Sequence, residues 1–247
     1  MRLRFVGRAS VSDPASWRGW WPSKKSSLGF ISRDNRRIKV SQESHGVARL
    51  WERCLSGGPW IRPCRILPWV GGDCAADAWA AGDWASIGGW WMKEGPLEPA
   101  HCHWFSLEVH RDRLSSYVSL GADMGSDIAF FEALAQLVLL VLMGSTNDAL
   151  PGGKVLMKCD NEGVVGAAAK GMSTAHPLCS ALQCLAAWEQ DLNIKTVIQH
   201  IPGVDNILAD ALSRWRTKRH LLCEVKAENQ HEVDLDAVLR PLLDTHP

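Results

Sequence analysis

The stretch His200-Ile201-Pro202-Gly203-Val204-Asp205-Asn206-Ile207-Leu208-Ala209-Asp210-Ala211-Leu212-Ser213-Arg214 joins two differently patterned segments of the chain. Residues 196–201 have the composition of a strand, and residues 205–215 have the apolar spacing of a helix. Asp210 lies inside that helix between two alanines. An ionised carboxylate in such a setting is costly unless a partner compensates for its charge.

Upstream of this stretch, strand and helix patterns follow one another. The predicted strands are 65–78, 87–92, 104–110, 155–159 and 196–201, and the predicted helices are 126–143, 162–170, 177–191, 205–215 and 233–243. The first strands come in direct succession, which indicates an antiparallel meander. The strand at 155–159 is short and apolar and stops at Asp160-Asn161, as a buried strand ending in a polar pair would.

Length and composition indicate one folded core with additions. A chain of 247 residues can hold a domain of about 150 residues plus flanking segments. The apolar share is 46% and the charged share 22%, and we estimate that no apolar run approaches the ~20 residues of a membrane helix. We expect no membrane partner, free cysteines, and a place inside the cell, either cytoplasmic or nuclear.

Charge is unevenly distributed along a chain whose formal net charge is zero. Residues 1–60 contain 12 Lys and Arg against 4 Asp and Glu, whereas residues 221–247 contain 2 against 6. We therefore divide the chain into a basic, partly ordered segment (1–60), a folded domain (65–220) and an acidic C-terminal tail (221–247). The basic end is the better candidate for phosphate contact.

Four carboxylates occupy positions that are unusual for purely structural residues. Asp77 and Asp160 close apolar strands, Glu132 faces the core side of a helix, and Asp210 lies among alanines. Each alone is more simply explained as a helix cap or an exposed charge. Together they match the needs of Mg²⁺, a hard cation that prefers oxygen ligands. Two such ions about 4 Å apart can activate a water and stabilise the leaving oxygen of a phosphodiester.

The order and spacing of these residues resemble the ribonuclease H domain of reverse transcriptases, particularly those of retrotransposons. Residues 200–214 resemble the family segment H-I-P-G-x-x-N-x-x-A-D-x-L-S-R almost throughout. Three further stretches are similar to the other motifs of the family: Phe131-Glu132-Ala133-Leu134-Ala135, Cys159-Asp160-Asn161, and Ala76-Asp77-Ala78 followed by Ile87-Gly88-Gly89-Trp90. The resemblance covers roughly residues 65–219.

This resemblance implies an α/β fold, the ribonuclease H-like fold, with a five-stranded mixed sheet flanked by helices. It implies an endonuclease that hydrolyses the RNA strand of RNA–DNA hybrids with Mg²⁺ or Mn²⁺, using two ions. The implied catalytic and metal-binding residues are Asp77, Glu132, Asp160 and Asp210. Asn161 and Asn206 would orient backbone or nucleic acid. His200 would lie on the strand leading to the site as a further catalytic candidate, or as a strand-end histidine bonded to backbone.

The sequence leaves two assignments open: the first metal ligand, and the role of the cations after Asp210. Asp73 shares a strand face with Asp77, so either aspartate could be the first ligand, although the glycine spacing favours Asp77. Arg214, Arg216 and Lys218 lie beside a tryptophan and could hold a nucleic-acid backbone by charge and stacking. They could equally be cations favoured by the dipole at a helix C-terminus.

In reverse transcriptases, a polymerase precedes such a domain. Residues 28–30 and 36–40 faintly resemble the end of that polymerase. The polymerase motif Y-x-D-D is absent from the chain. We therefore interpret residues 1–60 as a thumb remnant, the chain as a polyprotein fragment, and a reverse transcriptase polymerase domain as a candidate partner. An alternative function is an inactive retroelement-derived domain that binds nucleic acid or a protein. An integrase-like nuclease is disfavoured by the segment at 200–214.

Overall fold

The computed structural model describes residues 67–147, 149–222 and 224–243, which belong to one unit of the chain, Trp60–Asp244. The basic segment predicted at 1–60 lies outside the described residues, so the three-part division stays a prediction.

Five strands form a single mixed sheet, as predicted. They are β1 (Cys74–Ala81), β2 (Trp84–Trp91), β3 (His103–His110), β4 (Lys154–Cys159) and β5 (Lys195–His200). The order across the sheet is β3-β2-β1-β4-β5, with β1, β2 and β3 antiparallel and with β4 parallel to both β1 and β5. The meander expected from the sequence is confirmed.

The first strand begins later than the sequence predicted. Residues 65–78 were expected to be extended, but β1 begins at Cys74. Gly71 adopts a φ of +81°, which lies outside the range of a regular extended strand. The pattern of apolar residues therefore continues upstream of β1, although the regular strand begins only at Cys74.

The sheet is flanked by helices on both faces. They are α1 (Arg111–Leu114), α2 (Ile128–Thr146), α3 (Glu162–Lys170), α4 (Leu178–Asp191), α5 (Ile207–Ser213), α6 (Trp215–Lys218) and α7 (Leu235–Leu243). Alternation along β1 sends Cys74, Ala76 and Ala78 into the larger core beneath α2. Ala75 joins a smaller core that contains residues of α5. Asp77, two residues along from Ala75, therefore lies on the α5 face.

Helix α2 is the central helix of the larger core. With the 3₁₀ turn before it, it forms the stretch Met124–Thr146, which is long and apolar enough to cross a membrane by length and composition. The estimate that no run approaches that length was therefore wrong. Of its most apolar window, 67% is buried inside the fold, as in the central helix of a folded domain.

The last helix contributes to the same core. Leu235, Val238, Leu239 and Leu242 of α7 are all buried there. Trp188 of α4 donates a hydrogen bond from Nε1 to the Val238 carbonyl at 2.8 Å. The acidic C-terminal region therefore supplies part of the packing, and the helix predicted at 233–243 is present.

Gly88 allows α5 to approach β2. A Cβ atom at this position would lie 2.3 Å from the Ser213 nitrogen and 2.4 Å from the Leu212 carbonyl carbon. Since both are backbone atoms, the clash cannot be relieved by rotating a side chain. We predict that Gly88→Ala destabilises the fold by about 3 kcal/mol, measured by denaturant unfolding.

Gly166 of α3 supplies the control, because a Cβ there meets no atom within 4 Å. Gly166→Ala should raise stability by about 0.5–1 kcal/mol through its helix propensity. Equal effects of the two alanines would contradict the close contact between α5 and β2.

Candidate active site

The site lies at the end of β4, where β1 continues beyond it. The parallel register pairs Ala75 with Lys158, and β4 ends at Cys159. Asp77 and Asp160 each lie two residues beyond this pair, one after Ala75 and the other after Lys158, and are therefore level with each other. The sheet thus brings two carboxylates to one edge from segments 83 residues apart in the sequence.

Glu132 reaches the same place from α2. Its side chain is only 5% exposed, and its carboxylate lies with the ligand atoms of Cys159 and Asp160 in a group whose members are all within 4.8 Å. Burial is the main cause that raises the pKa of Glu132 to about 9, and the neighbouring charges of Asp77 and Asp160 contribute to this rise. The cluster therefore favours a cation or a proton.

Asp77 is held from the other face of the sheet. Its carboxylate, in a residue only 4% exposed, accepts a hydrogen bond from Ser213 Oγ at 2.6 Å. The pKa of Asp77 is raised to about 7. Burial is the main cause, the Ser213 hydrogen bond acts against it, and the charges of Asp160 and Asp210 contribute to the rise. Ser213 thus anchors Asp77 to the end of α5.

Asp210 is one turn earlier on α5 and is paired with two cations. Arg214 Nε lies 2.8 Å from its Oδ1, and Lys218 Nζ contacts its Oδ2. Arg216, the third cation predicted to contact nucleic acid, binds Glu108 at 2.7 Å. All three cations therefore hold carboxylates in this structure, and their contact with nucleic acid stays a prediction.

The two candidates for the first ligand occupy different surroundings. Asp73 precedes β1, and its Oδ1 lies 3.0 Å from Lys158 Nζ. Asp77 is buried, lies level with Asp160 across the β1–β4 pair, and bonds Ser213 at the end of α5. The geometry therefore favours Asp77 for a shared site, in agreement with the glycine spacing.

The remaining predicted residues lie around this cluster. Asn161 caps α3, since its Oδ1 accepts a hydrogen bond from the Val164 backbone at 3.1 Å. Asn206 is 2% exposed, and its Nδ2 donates to the Ala76 carbonyl at 3.5 Å. His200 ends β5 as an exposed residue paired in register with Cys159. Roles of these three in catalysis or nucleic-acid binding remain predictions.

Three residues at the site were not assigned roles from the sequence. Gln136 is fully buried, and its Nε2 donates to the Ala76 and Lys158 carbonyls at 3.2 and 3.0 Å, so it bridges β1 and β4. Its spacing of four from Glu132 was the available signal. Ser213 lies three residues after Asp210 in the segment 200–214, and Cys159 directly precedes Asp160.

The donor set fits a hard divalent cation. Glu132 and Asp160 supply carboxylate oxygens, which Mg²⁺ and Mn²⁺ prefer. Burial raises the pKa of the Cys159 thiol to about 12, so this group stays neutral and is a poor ligand. The buried Asn206 Oδ1 also has no hydrogen-bond partner among the described residues. The cluster therefore offers oxygen ligands and a need for positive charge.

Comparisons with known proteins give distant likenesses only. No family model matches the chain, and no curated protein matches it. Among solved structures it is similar to LC11-RNase H1 in complex with an RNA/DNA hybrid, at 19% identity and a TM-score of 0.46, over 60% of this chain and 97% of that one. It is also similar to RNase H1 from the halophilic archaeon Halobacterium salinarum NRC-1, at 14% identity and a TM-score of 0.39, over 60% and 99% of the two chains. A structure of LC11-RNase H1 isolated from compost gives 19% identity and a TM-score of 0.40, over 60% and 96%. Because every TM-score is below 0.5, these likenesses carry no argument about activity.

The carboxylate cluster predicts an unusual dependence of stability on pH. The pKa of Glu132 is about 9 against an ordinary 4.5, so the folded protein keeps a proton that the unfolded chain releases above pH 4.5. Without divalent cations, the stability that this proton provides is lost as the pH rises from about 4.5 through 9. We expect thermal melts in chelator to show a melting temperature that falls steadily across this range. A melting temperature that rises over the same range would contradict the burial of Glu132.

Proposed function

We propose that this protein is a metal-dependent endonuclease that hydrolyses the RNA strand of RNA–DNA hybrids. One observation carries the proposal: carboxylates from β1, α2, the end of β4 and α5 converge on one edge of the sheet. Buried ionisable groups with raised pKa values, here Glu132 and Asp77, are typical of functional sites. No structural need of the fold requires it, since α2 could bury an apolar residue at position 132.

Asp77, Glu132, Asp160 and Asp210 would hold one or two divalent ions, with Mg²⁺ or Mn²⁺ as candidates. When bound, such ions supply a nucleophile from water at neutral pH and stabilise charge on the phosphate. The chain itself orients the ligands. Ser213 fixes the Asp77 carboxylate, and Gln136 ties β1 to β4 beneath Glu132.

The preference for a hybrid is supported by the sequence of residues 200–214, which resembles the reverse-transcriptase branch of ribonucleases H. Proteins that read an RNA-containing duplex use its shape and its 2′-hydroxyl groups. A retrotransposon origin, and a polymerase domain as partner, are parts of the same proposal.

A substrate panel tests the proposal. Labelled RNA–DNA hybrid, RNA duplex and DNA duplex are incubated with Mg²⁺, Mn²⁺ or chelator. We expect cleavage of the RNA strand of the hybrid, and only with metal. Cleavage that survives chelator would overturn the metal assignment, and preferred cutting of DNA duplex would point to an integrase-like activity.

A second candidate is an inactive domain that binds nucleic acid or a protein. One observation favours it: the Asp210 carboxylate is already neutralised by Arg214 and Lys218. Well-folded protein that cleaves no substrate of the panel, with or without metal, would support this candidate over the nuclease.

A further inference from the structure

Helix α5 covers only part of the sheet face on which Asp77 lies. On this face, each residue of β1 pairs with one of β2, which in turn pairs with one of β3. Because paired residues point to the same face, these pairs form rows of three residues. The rows are Asp77-Gly88-Ser106, Trp79-Ser86-Glu108 and Ala81-Trp84-His110. The first row lies beneath α5, where Ser106 Oγ donates to the Leu212 carbonyl at 2.8 Å. Because α5 ends at Ser213, the other two rows are only partly covered, by Arg214, Arg216 and Thr217.

Residues of these two rows line a groove of about 420 Å³. Its walls include Trp79 and Trp84, which are 37% and 50% exposed although they are large apolar side chains. Sites for small organic groups typically have volumes of ~300–1,000 Å³, so the groove suits one planar ring with its attached sugar or chain. Exposed indole faces on one concave surface are typical of stacking sites.

Ser86 gives the groove an unused polar group. The residue is only 5% exposed, it lines the groove, and its Oγ has no hydrogen-bond partner among the described residues. A buried hydroxyl without a partner costs free energy, so the fold gains nothing from it. A ligand with a donor or acceptor at its edge would satisfy this hydroxyl.

The groove is continuous with the candidate active site. Ser213 lines it and also donates to Asp77, and Arg214 lines it and also binds Asp210. Arg216 crosses its rim to Glu108 with a side chain that is 78% exposed. Two cations therefore line the groove next to the carboxylate cluster, and each is paired with a carboxylate that a ligand phosphate could replace.

We propose that this groove binds an unpaired nucleobase of a nucleic-acid strand that continues past the scissile duplex. The proposal rests on the proposed nuclease function, because that function determines from which side the nucleic-acid strand reaches the groove. The base packs against both Trp79 and Trp84, and its edge bonds Ser86 Oγ. Its phosphate competes with Asp210 for Arg214 or with Glu108 for Arg216. Stacking on indole tolerates any base, so the site takes single strands without sequence preference.

Binding of a fluorescent ten-nucleotide single-stranded DNA, oligo-dT, measured by anisotropy, tests the groove without any cleavage. We expect Trp79→Ala and Trp84→Ala each to weaken binding roughly tenfold, the size of one lost base-stacking contact. The matched control is Trp69→Ala. Trp69 is 58% exposed and has Lys154 Nζ 4.8 Å from its ring, at the opposite end of β4 from the site. Its replacement should leave binding unchanged.

Ser86→Ala separates ligand binding from a structural role. Because the Oγ has no partner, its removal should leave the melting temperature unchanged or raised, while oligo-dT binding weakens about threefold. A fall in melting temperature with unchanged binding would show that the hydroxyl serves the fold. Equal affinity of the wild type and both groove tryptophan variants, or no oligo-dT binding by the wild type, would overturn the proposal and leave a protein ligand as the occupant.

The proposal for the groove and the proposal for the nuclease function can be rejected independently of each other. Oligo-dT binding that depends on Trp79 and Trp84 in a protein that cleaves no hybrid would support the groove and reject the nuclease. If hybrid is cleaved, duplexes with a three-nucleotide unpaired extension of either polarity are compared with a blunt duplex. We expect one polarity to lower KM roughly tenfold in the wild type but not in Trp84→Ala.

Discussion

Asp77→Asn is expected to lower the rate of hybrid cleavage at least about a thousandfold, which corresponds to about 4 kcal/mol of lost transition-state stabilisation. Asp77 is 4% exposed and lies among the carboxylates that would hold the ions. Asparagine keeps the size of the side chain and removes its charge. The fold should persist, because a buried carboxylate with a raised pKa is itself a destabilising group.

Asp73→Asn is the matched variant, on the same face of the same strand region. Its carboxylate is paired with Lys158 at the protein surface, an interaction worth about 0–1 kcal/mol. We expect its cleavage rate to stay within about threefold of the wild type. Steady-state rates on labelled hybrid decide between the two aspartates. A reversed result, with Asp73→Asn inactive and Asp77→Asn active, would reject the arrangement of ligands described here.

Glu132→Gln is expected to change activity and stability in opposite directions. Cleavage should fall by a factor on the order of a thousand, since the substitution replaces a buried carboxylate ligand with a neutral amide. In chelator at pH 8, the free energy of unfolding should rise by a few kcal/mol. The pKa of Glu132 is about 9 in the fold, and each unit of pKa shift is worth about 1.4 kcal/mol.

The stability gain should depend on pH in a defined way. The wild type loses stability as the pH rises from about 4.5 through 9, whereas Glu132→Gln lacks that group and should show a flatter profile. Denaturant unfolding at pH 5 and pH 8 measures both curves. A variant that is less stable than the wild type at both pH values would show that the carboxylate serves packing or hydrogen bonding instead.

Much of the carboxylate cluster could be predicted because its members lie within short, patterned segments. Asp160 follows an apolar strand, Glu132 faces the core of a periodic helix, and Asp210 lies in the segment at 200–214. Strand order then brings them together, because adjacent parallel strands end at the same edge of a sheet. The mixed sheet itself followed from the order of strand and helix patterns and from the family resemblance.

Contacts between distant segments could not be predicted in this way. The bond from Ser213 to Asp77 joins residues 136 positions apart, and the bond from Gln136 to the Ala76 carbonyl spans 60. Neither leaves a periodic signal in the sequence. The groove beyond α5 likewise depends on where that helix ends, at Ser213, two residues before the predicted boundary at 215.

The most direct test compares RNA-strand cleavage in a hybrid by the wild type and by Asp160→Asn, each with saturating Mg²⁺ and with chelator. Asp205→Asn is the control, since Asp205 is an exposed neighbour on the turn before α5. We predict that the wild type and Asp205→Asn cleave only with Mg²⁺, and that folded Asp160→Asn cleaves in neither condition. Cleavage by Asp160→Asn at the wild-type rate, or by the wild type in chelator, would contradict a metal-dependent nuclease built on these carboxylates.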